Sequence, residues 1–271
     1  MNNGLLKDKV ALVLGIANER SIGSAIAQAF AREGARVIAA VQTPELVDRV
    51  KKSHPFLEAL WSCDVSISDQ IEALASNLAL TVGKVNIVVH SLAFAQRESL
   101  KMPLHEISAE VLLEALNISA VSFPVLTGEL LRQGVLSEGC VLETLTYAGG
   151  ERYVPGYAPM GICKAALNAS VWTMANELGP LIGARVYGIA AGPISTMSAR
   201  AVPNFPALLK MFPSLCALRQ ELKPEHVANV TVMLASYLSE GMTGNIIDAD
   251  MGLSTRLVSD SSQAAEAKSS E

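Results

Sequence analysis

The sequence predicts an α/β chain folded as a single doubly wound domain around a mostly parallel sheet of seven strands. Three observations carry that expectation. Seven short apolar runs alternate with helical stretches along the chain, the pattern of parallel strands joined by crossover helices. Half of the 271 residues are hydrophobic and 17% are charged, a balance suited to a sheet covered on both faces. The runs end in small or polar residues, and in such sheets the ligand crevice lies beyond the carboxyl ends of the strands.

The first run, Val10–Leu14, stops at Gly15. Beyond Ser21 the residues Ile22, Ala25, Ile26, Ala29 and Phe30 recur at helical spacing, so the segment reads as strand, loop, helix. Further strands are expected at Arg36–Val41, Phe56–Trp61, Val85–His90, Cys140–Leu145, Arg185–Ala190 and Ile246–Ala249. Residues 1–258 make up the expected domain. The tail, 259–271, is rich in Ser, Ala and Glu and is expected to be disordered.

The formal net charge of -5 comes without a long basic run, which argues against nucleic acid and anionic membrane surfaces and leaves a small molecule as the expected partner. Cys63, Cys140, Cys163 and Cys216 form no CxxC pair and no zinc spacing with histidine. No metal is expected, and a reduced, cytoplasmic compartment is. Met1 to Lys9 lacks an apolar signal core, and each apolar run is interrupted short of the roughly 20 residues that span a bilayer. His54, His90, His105 and His226 show no metal or triad spacing and are expected to be structural.

The strand ends hold the candidate chemistry. Gly15 to Ile22 is a small-residue loop ahead of an apolar helix, where backbone N–H groups and the helix N-terminus can approach a pyrophosphate. It is not GxGxxG, and an ordinary turn capped by Ser21 has the same appearance. Gln42, at the end of the second strand, is neutral. Glu45 follows it and Arg49 is seven residues on, which favours NADH over its 2′-phosphorylated form. Tyr157-Ala-Pro-Met-Gly-Ile-Cys-Lys164 spans almost two helical turns, so a tyrosine just before a helix beginning near Pro159 can share a side with the lysine. A nearby cation lowers a phenol's proton affinity and strengthens its bond to an oxyanion. A tyrosine packed at a helix entry with a solvated lysine fits the same spacing.

Together Gly15–Ile22, Cys63–Val65, His90–Ala95, Leu145–Tyr147, Tyr157 with Met160 and Lys164, and Ala191–Thr196 resemble the NADH-dependent enoyl-acyl-carrier-protein reductases of type II fatty acid synthesis, a divergent branch of the short-chain dehydrogenases. The resemblance runs from about Leu6 to Leu257. It implies a Rossmann-like domain, NADH as cofactor and an enoyl thioester substrate, possibly borne by acyl carrier protein, in a homotetramer. Tyr157 would hydrogen-bond the thioester carbonyl, Lys164 would hold the nicotinamide ribose and orient that tyrosine, and Tyr147 is the second active-site tyrosine. Gly15, Ser21, Ile22, Gln42, Asp64, Val65, Leu92, Ile194, Ser195 and Thr196 match cofactor positions. Ala95, Met160 and Phe205 fall on the substrate side. Ordinary members of the superfamily separate tyrosine and lysine by three residues, and here Met160 stands at that position.

Several residues depart from the family. Ala158 and Pro159 follow the tyrosine where asparagine is usual directly after it, and Ser195 stands where arginine is common. Glu143 sits inside an apolar strand, where a carboxylate needs a partner or a proton. The substrate loop, about 197–219, carries Lys210 alone in its apolar stretch, without the basic cluster that greets an acidic carrier. Met197, Met211, Phe205 and Phe212 fit an acyl pocket or the core equally. A carbonyl or 3-oxoacyl reductase of the same superfamily, and an NAD-binding scaffold without activity, are the competing readings.

Overall fold

The computed structural model describes residues 4–196 and 205–255. Seven strands form one all-parallel sheet: β1 (Val10–Leu14), β2 (Arg36–Val41), β3 (Ala59–Ser62), β4 (Val85–His90), β5 (Leu136–Thr146), β6 (Arg185–Ala191) and β7 (Asn245–Ala249). Their order is β3-β2-β1-β4-β5-β6-β7, so the winding reverses between β1 and β4. The helices are α1 (Ile22–Arg32), α2 (Pro44–Ser53), α3 (Ser68–Thr81), α4 (Ala109–Leu116), α5 (Ser122–Arg132), α6 (Ala158–Ile182), α7 (Phe205–Leu215) and α8 (Pro224–Ala235). The tail 259–271 and the first part of the expected substrate loop, 197–204, lie outside the described residues.

Strand alternation divides the interior into two cores. Ala11, Val13, Val37 and Ala39 point to one face, against Ile26 and Phe30 of α1 and Val227 of α8. Leu12, Leu14, Ile38 and Ala40 point to the other, against Leu74 of α3, Phe123 of α5 and Leu167 of α6. Complete burial of such side chains contributes about 1.5–3 kcal/mol each, which holds the strand ends rigid for ligands.

Three strands have the expected bounds, and β6 and β7 gain one residue each. The two larger differences have local causes. β3 begins late because residues from His54 form a turn, closed by Leu57 N–H donating to the His54 carbonyl. β5 begins early because its register with β4 shifts between Val85 and Ile87, which lets Val85 pair with Leu136. Both buried histidines are structural, as expected. His54 bonds Ser24 Oγ and Ser53 Oγ, and His90 bonds Thr144 Oγ1 and Ser122 Oγ.

One reading of the sequence needs correction. A π-helical turn, Asn117–Val121, joins α4 to α5, giving a continuous helical stretch, Ala109–Arg132, long and apolar enough to cross a membrane by length and composition. The polar residues that interrupt it in sequence are too few to lower its hydropathy. Ala120, Phe123, Leu126 and Leu130 bury one side of it in the sheet core, whereas Leu113, Val121 and Val125 are exposed.

Glu143 of β5 lies opposite Val89 and Tyr187, on the face it shares with Val141 and Leu145. It is 0% exposed. The partner expected for it is missing: neither carboxyl oxygen has a hydrogen bond among the described residues. Arg185 is the charge that draws its pKa down, yet that guanidinium is committed to the carbonyls of Leu234 and Ser236 and the Ser239 hydroxyl. Burial dominates and holds the carboxyl protonated well above its ordinary range. A carboxyl whose folded pKa is raised contributes its full stability below the unfolded pKa and loses it as pH rises toward the folded value. Glu143→Leu should therefore stabilise the fold at pH 8 by roughly 1–3 kcal/mol, with a smaller gain at pH 4.5. Denaturant titrations at the two pH values check this, and a gain independent of pH would show that Glu143 is not protonated in the fold.

Candidate active site

The cleft opens where the winding reverses. Gly15 leaves β1 with φ of 92°, and a Cβ there would lie 2.0 Å from the Ser91 carbonyl oxygen at the end of β4. Only glycine lets the two strand ends come this close. Ser21 caps α1, its hydroxyl accepting from Ser24 N–H, and the helix meets the cavity at Ser21 and Ile22, with the positive end of its dipole there.

Beyond β2, the Gln42 amide donates to Asp64 Oδ2 at 3.2 Å. Burial pushes the Asp64 carboxyl up, but the Ser66 hydroxyl and N–H and the Gln42 amide outweigh it and keep the acid below its ordinary pKa. Arg49 is closer to this region than its place in the sequence suggests. α2 turns its guanidinium back onto the Ala17 carbonyl of the first loop, at 3.0 Å.

On the other side, α6 begins at Ala158 with Tyr157 as its N-cap and Pro159 in the first turn, where the missing N–H has no helical partner to lose. The Tyr157 carbonyl accepts the Gly161 N–H. Two turns in, Lys164 is 4% exposed and donates from Nζ to the Leu145 carbonyl at 2.7 Å. Burial brings its ammonium down to about 8 and, with the Lys164 charge, brings His90 down to about 3. The Tyr147 and Tyr157 rings meet edge-on, centroids 5.1 Å apart. Burial raises both phenols, with Asp250 adding to Tyr147, and with Tyr147 and Cys163 adding to Tyr157. The expected lowering of the phenol by the lysine is overturned: burial, Tyr147 and Cys163 all raise it, and the Lys164 ammonium is turned to the Leu145 carbonyl. Tyr157 remains a hydrogen-bond donor.

These groups share one cavity of about 530 Å³. Gly15, Ser21, Ile22, Gln42 and Leu92 line it, three of them from the loop between β1 and α1 and the start of that helix. Ala95, Tyr147, Tyr157, Met160, Lys164, Phe205, Ile194 and Thr196 line it as well. Asp64 and Val65 line a smaller adjoining cavity of about 100 Å³ that shares Gln42 and Leu92. Ser195 lines neither and is exposed. Phe205 faces the cavity while Phe212 is core, Met211 is exposed, and Met197 lies outside the described residues. The sequence reading missed Arg97, Leu100, Val154 and Leu208, which also line the cavity. The first three stand outside the α-helices and strands, where no periodicity marks a facing side.

Residues 15–254 match the family described as enoyl-(acyl carrier protein) reductase. The chain is 38% identical over 252 residues to the enoyl-(acyl-carrier-protein) reductase (NADH) of Bacillus cereus, covering 92% of this chain and 97% of that one. It is 35% identical to the Escherichia coli enzyme of the same description, covering 93% and 96%. Among solved structures, the Bacillus cereus enoyl-acyl carrier protein reductase with NADP+ and indole naphthyridinone superposes with a TM-score of 0.90 at 37% identity, covering 94% of this chain and all of that one. The Aquifex aeolicus enzyme does so with 0.89 at 35%, with the same coverage.

Gly149 sets the spacing of the two tyrosines. A Cβ there would lie 2.8 Å from Tyr157 Cδ1 and 3.0 Å from Tyr147 Cδ1. A crystal structure of Gly149→Ala should show the rings pushed from their edge-on contact, and rings in their original places would show that the turn absorbs the methyl group.

Proposed function

We propose, because this chain belongs to the enoyl-(acyl carrier protein) reductase family, that its cleft carries out that family's chemistry through Tyr157, Lys164 and Tyr147. The enzyme reduces the 2,3 double bond of an enoyl thioester with NADH in fatty acid synthesis. The observation that carries the assignment is the meeting of Tyr157, at the N-cap position of α6, with the buried Lys164 in the lining of one cavity.

The residues fit a dinucleotide. Gly15, Ser21 and Ile22 would receive the pyrophosphate at the N-terminus of α1, and Gln42 the adenosine ribose. Asp64 and Val65, which share a small cavity with Leu92, would flank the adenine, and Lys164, Ile194 and Thr196 the nicotinamide end, with exposed Ser195 at the rim. NADH, when bound, supplies the hydride that adds to the β-carbon. Negative charge then develops on the thioester carbonyl oxygen, to which Tyr157 donates its hydrogen bond. The enolate collapses as the α-carbon takes a proton, leaving the saturated thioester. Lys164, anchored to the Leu145 carbonyl, would hold the nicotinamide ribose and supply a positive charge beside it. Met160, buried four residues before Lys164, offers a thioether that cannot act as an acid.

Ala95, Met160 and Phe205 form the apolar wall for the acyl chain. We assign the substrate to acyl carrier protein, which meets a loop that is apolar rather than basic. The exposed Leu113, Val125 and Trp172 on neighbouring helices support a homo-oligomer, a tetramer by the family's precedent. Four buried cysteines outside any disulfide among the described residues accord with a cytoplasmic enzyme.

Tyr157→Phe should lower kcat by on the order of 10²-fold with NADH affinity nearly intact, as expected for a donor acting on charge that forms in the transition state. Lys164→Ala should also weaken NADH binding, and Tyr147→Phe should lose less than Tyr157→Phe. Turnover of a 2-enoyl thioester and NADH fluorescence titration, on variants checked for folding, decide this. Full activity in Tyr157→Phe would remove the assignment.

A further inference from the structure

The segment leaving β4 has no ladder to satisfy its backbone. From Ser91 through Gln96 it is coil, and Leu92, Phe94 and Ala95 form one wall of the cleft. A backbone without regular partners is mobile unless something else holds its N–H and C=O groups. At its ends the Ser91 N–H donates to the Leu14 carbonyl and the Gln96 carbonyl accepts from Ser99, and between them a single hydroxyl holds both backbone groups of Phe94. Ser119 Oγ accepts from the Phe94 N–H at 2.8 Å and donates to the Phe94 carbonyl at 3.0 Å.

The placement of that hydroxyl depends on the π-helical turn between α4 and α5. Ser119 is 0% exposed and stands in the middle of Asn117–Val121; such turns interrupt the regular helical ladder and often mark functional sites. The same turn holds the other end of the segment. Ser122, the residue that follows it, bonds His90 Nε2 at 2.8 Å and the Ile118 carbonyl at 2.7 Å. The wall from His90 to Phe94 is thus fixed at both ends by one helix. On its far side Ser119 Oγ lies 4.0 Å from the Met160 sulfur. Met160 packs in a small cluster with Leu100, Ala115 and Cys163, against which Ala95 and Tyr157 also rest.

We propose that Ser119 is a positioning residue for enoyl reduction. It fixes the Phe94–Ala95 backbone beside Tyr157, so that the acyl thioester is held with its carbonyl at the phenol. This rests on the assignment of Tyr157 and Ala95 to the substrate side. Ser119 touches neither cofactor nor substrate, so its loss acts on substrate placement and leaves the donor chemistry in place.

Removing the hydroxyl frees two backbone groups at once. Ser119→Ala should raise KM for a 2-enoyl thioester about 10-fold, the equivalent of roughly 1.4 kcal/mol, with NADH affinity unchanged. Hydrogen exchange by mass spectrometry should show faster exchange in the peptide containing Phe94 and Ala95 and unaltered exchange in β1 and α6. Ser119→Thr, which keeps the hydroxyl, should restore slow exchange in that peptide. Unchanged KM and unchanged exchange in Ser119→Ala would overturn the proposal, as would a matching loss of NADH affinity, which a general loosening of the fold would produce. Tyr157→Phe run in parallel separates the two levels. Activity lost there but fully retained in Ser119→Ala refutes only the positioning role, whereas full activity in both removes the site assignment beneath it.

Discussion

A buried ammonium group cannot be left without an acceptor, because an unpaired charge away from water costs several kcal/mol. In this fold Lys164 finds its acceptor in the carbonyl of Leu145, near the end of β5, and that contact registers α6 against the sheet. A second buried pair, Thr146 Oγ1 to Asn168 Oδ1 at 2.7 Å, repeats the tie one turn further along. The turn between β5 and α6 must then let the helix come close. Gly150 allows it, since a Cβ there would lie 2.8 Å from the Lys164 carbonyl carbon. With the helix fixed, its N-cap is fixed as well, and Tyr157 stands edge-on to Tyr147 at the mouth of the strands.

The same logic runs through the rest of the cleft. Strands that are almost wholly apolar end in residues that either need no side chain or satisfy polar groups locally. Gly15 permits contact between β1 and β4, Ser21 caps α1, and Asp64 is held by Ser66 and Gln42. His90 is buried and neutral between two hydroxyls. Glu143 is the exception, a buried carboxyl with no hydrogen-bond partner among the described residues. It lies away from the cavity walls, and nothing in the structure explains its presence.

Much of this was legible in the sequence because strand and helix periodicity differ and because the ends of strands are chemically distinct. The alternation of runs gave the sheet, Gly15 to Ile22 the loop between β1 and α1, and the spacing of Tyr157 and Lys164 their meeting in one cavity. What escaped was set by tertiary geometry. The early start of β5 follows from a register shift with β4 that leaves no mark in its own residues. Arg49 reaches Ala17 only because α2 folds back over the first loop. Phe205 and Phe212 both follow an apolar pattern, and only packing sends one to the cavity and the other to the core. Ser119 was hidden because a π-helical turn offsets the register by which helix faces are read.

The central claim is that the cleft directs a hydride to the β-carbon of an enoyl thioester while the phenol of Tyr157 holds the charge on its carbonyl oxygen. The most direct test is to turn over a crotonyl thioester in ordinary water with NADH carrying deuterium at the transferable position, and to locate the label in the product by NMR. A single deuterium at C3 of a butyryl chain, with C2 protonated from solvent, is the expected result. Label at C2, or an unreduced crotonyl chain beside deuterium transferred readily to the carbonyl carbon of an acetoacetyl thioester, would contradict it.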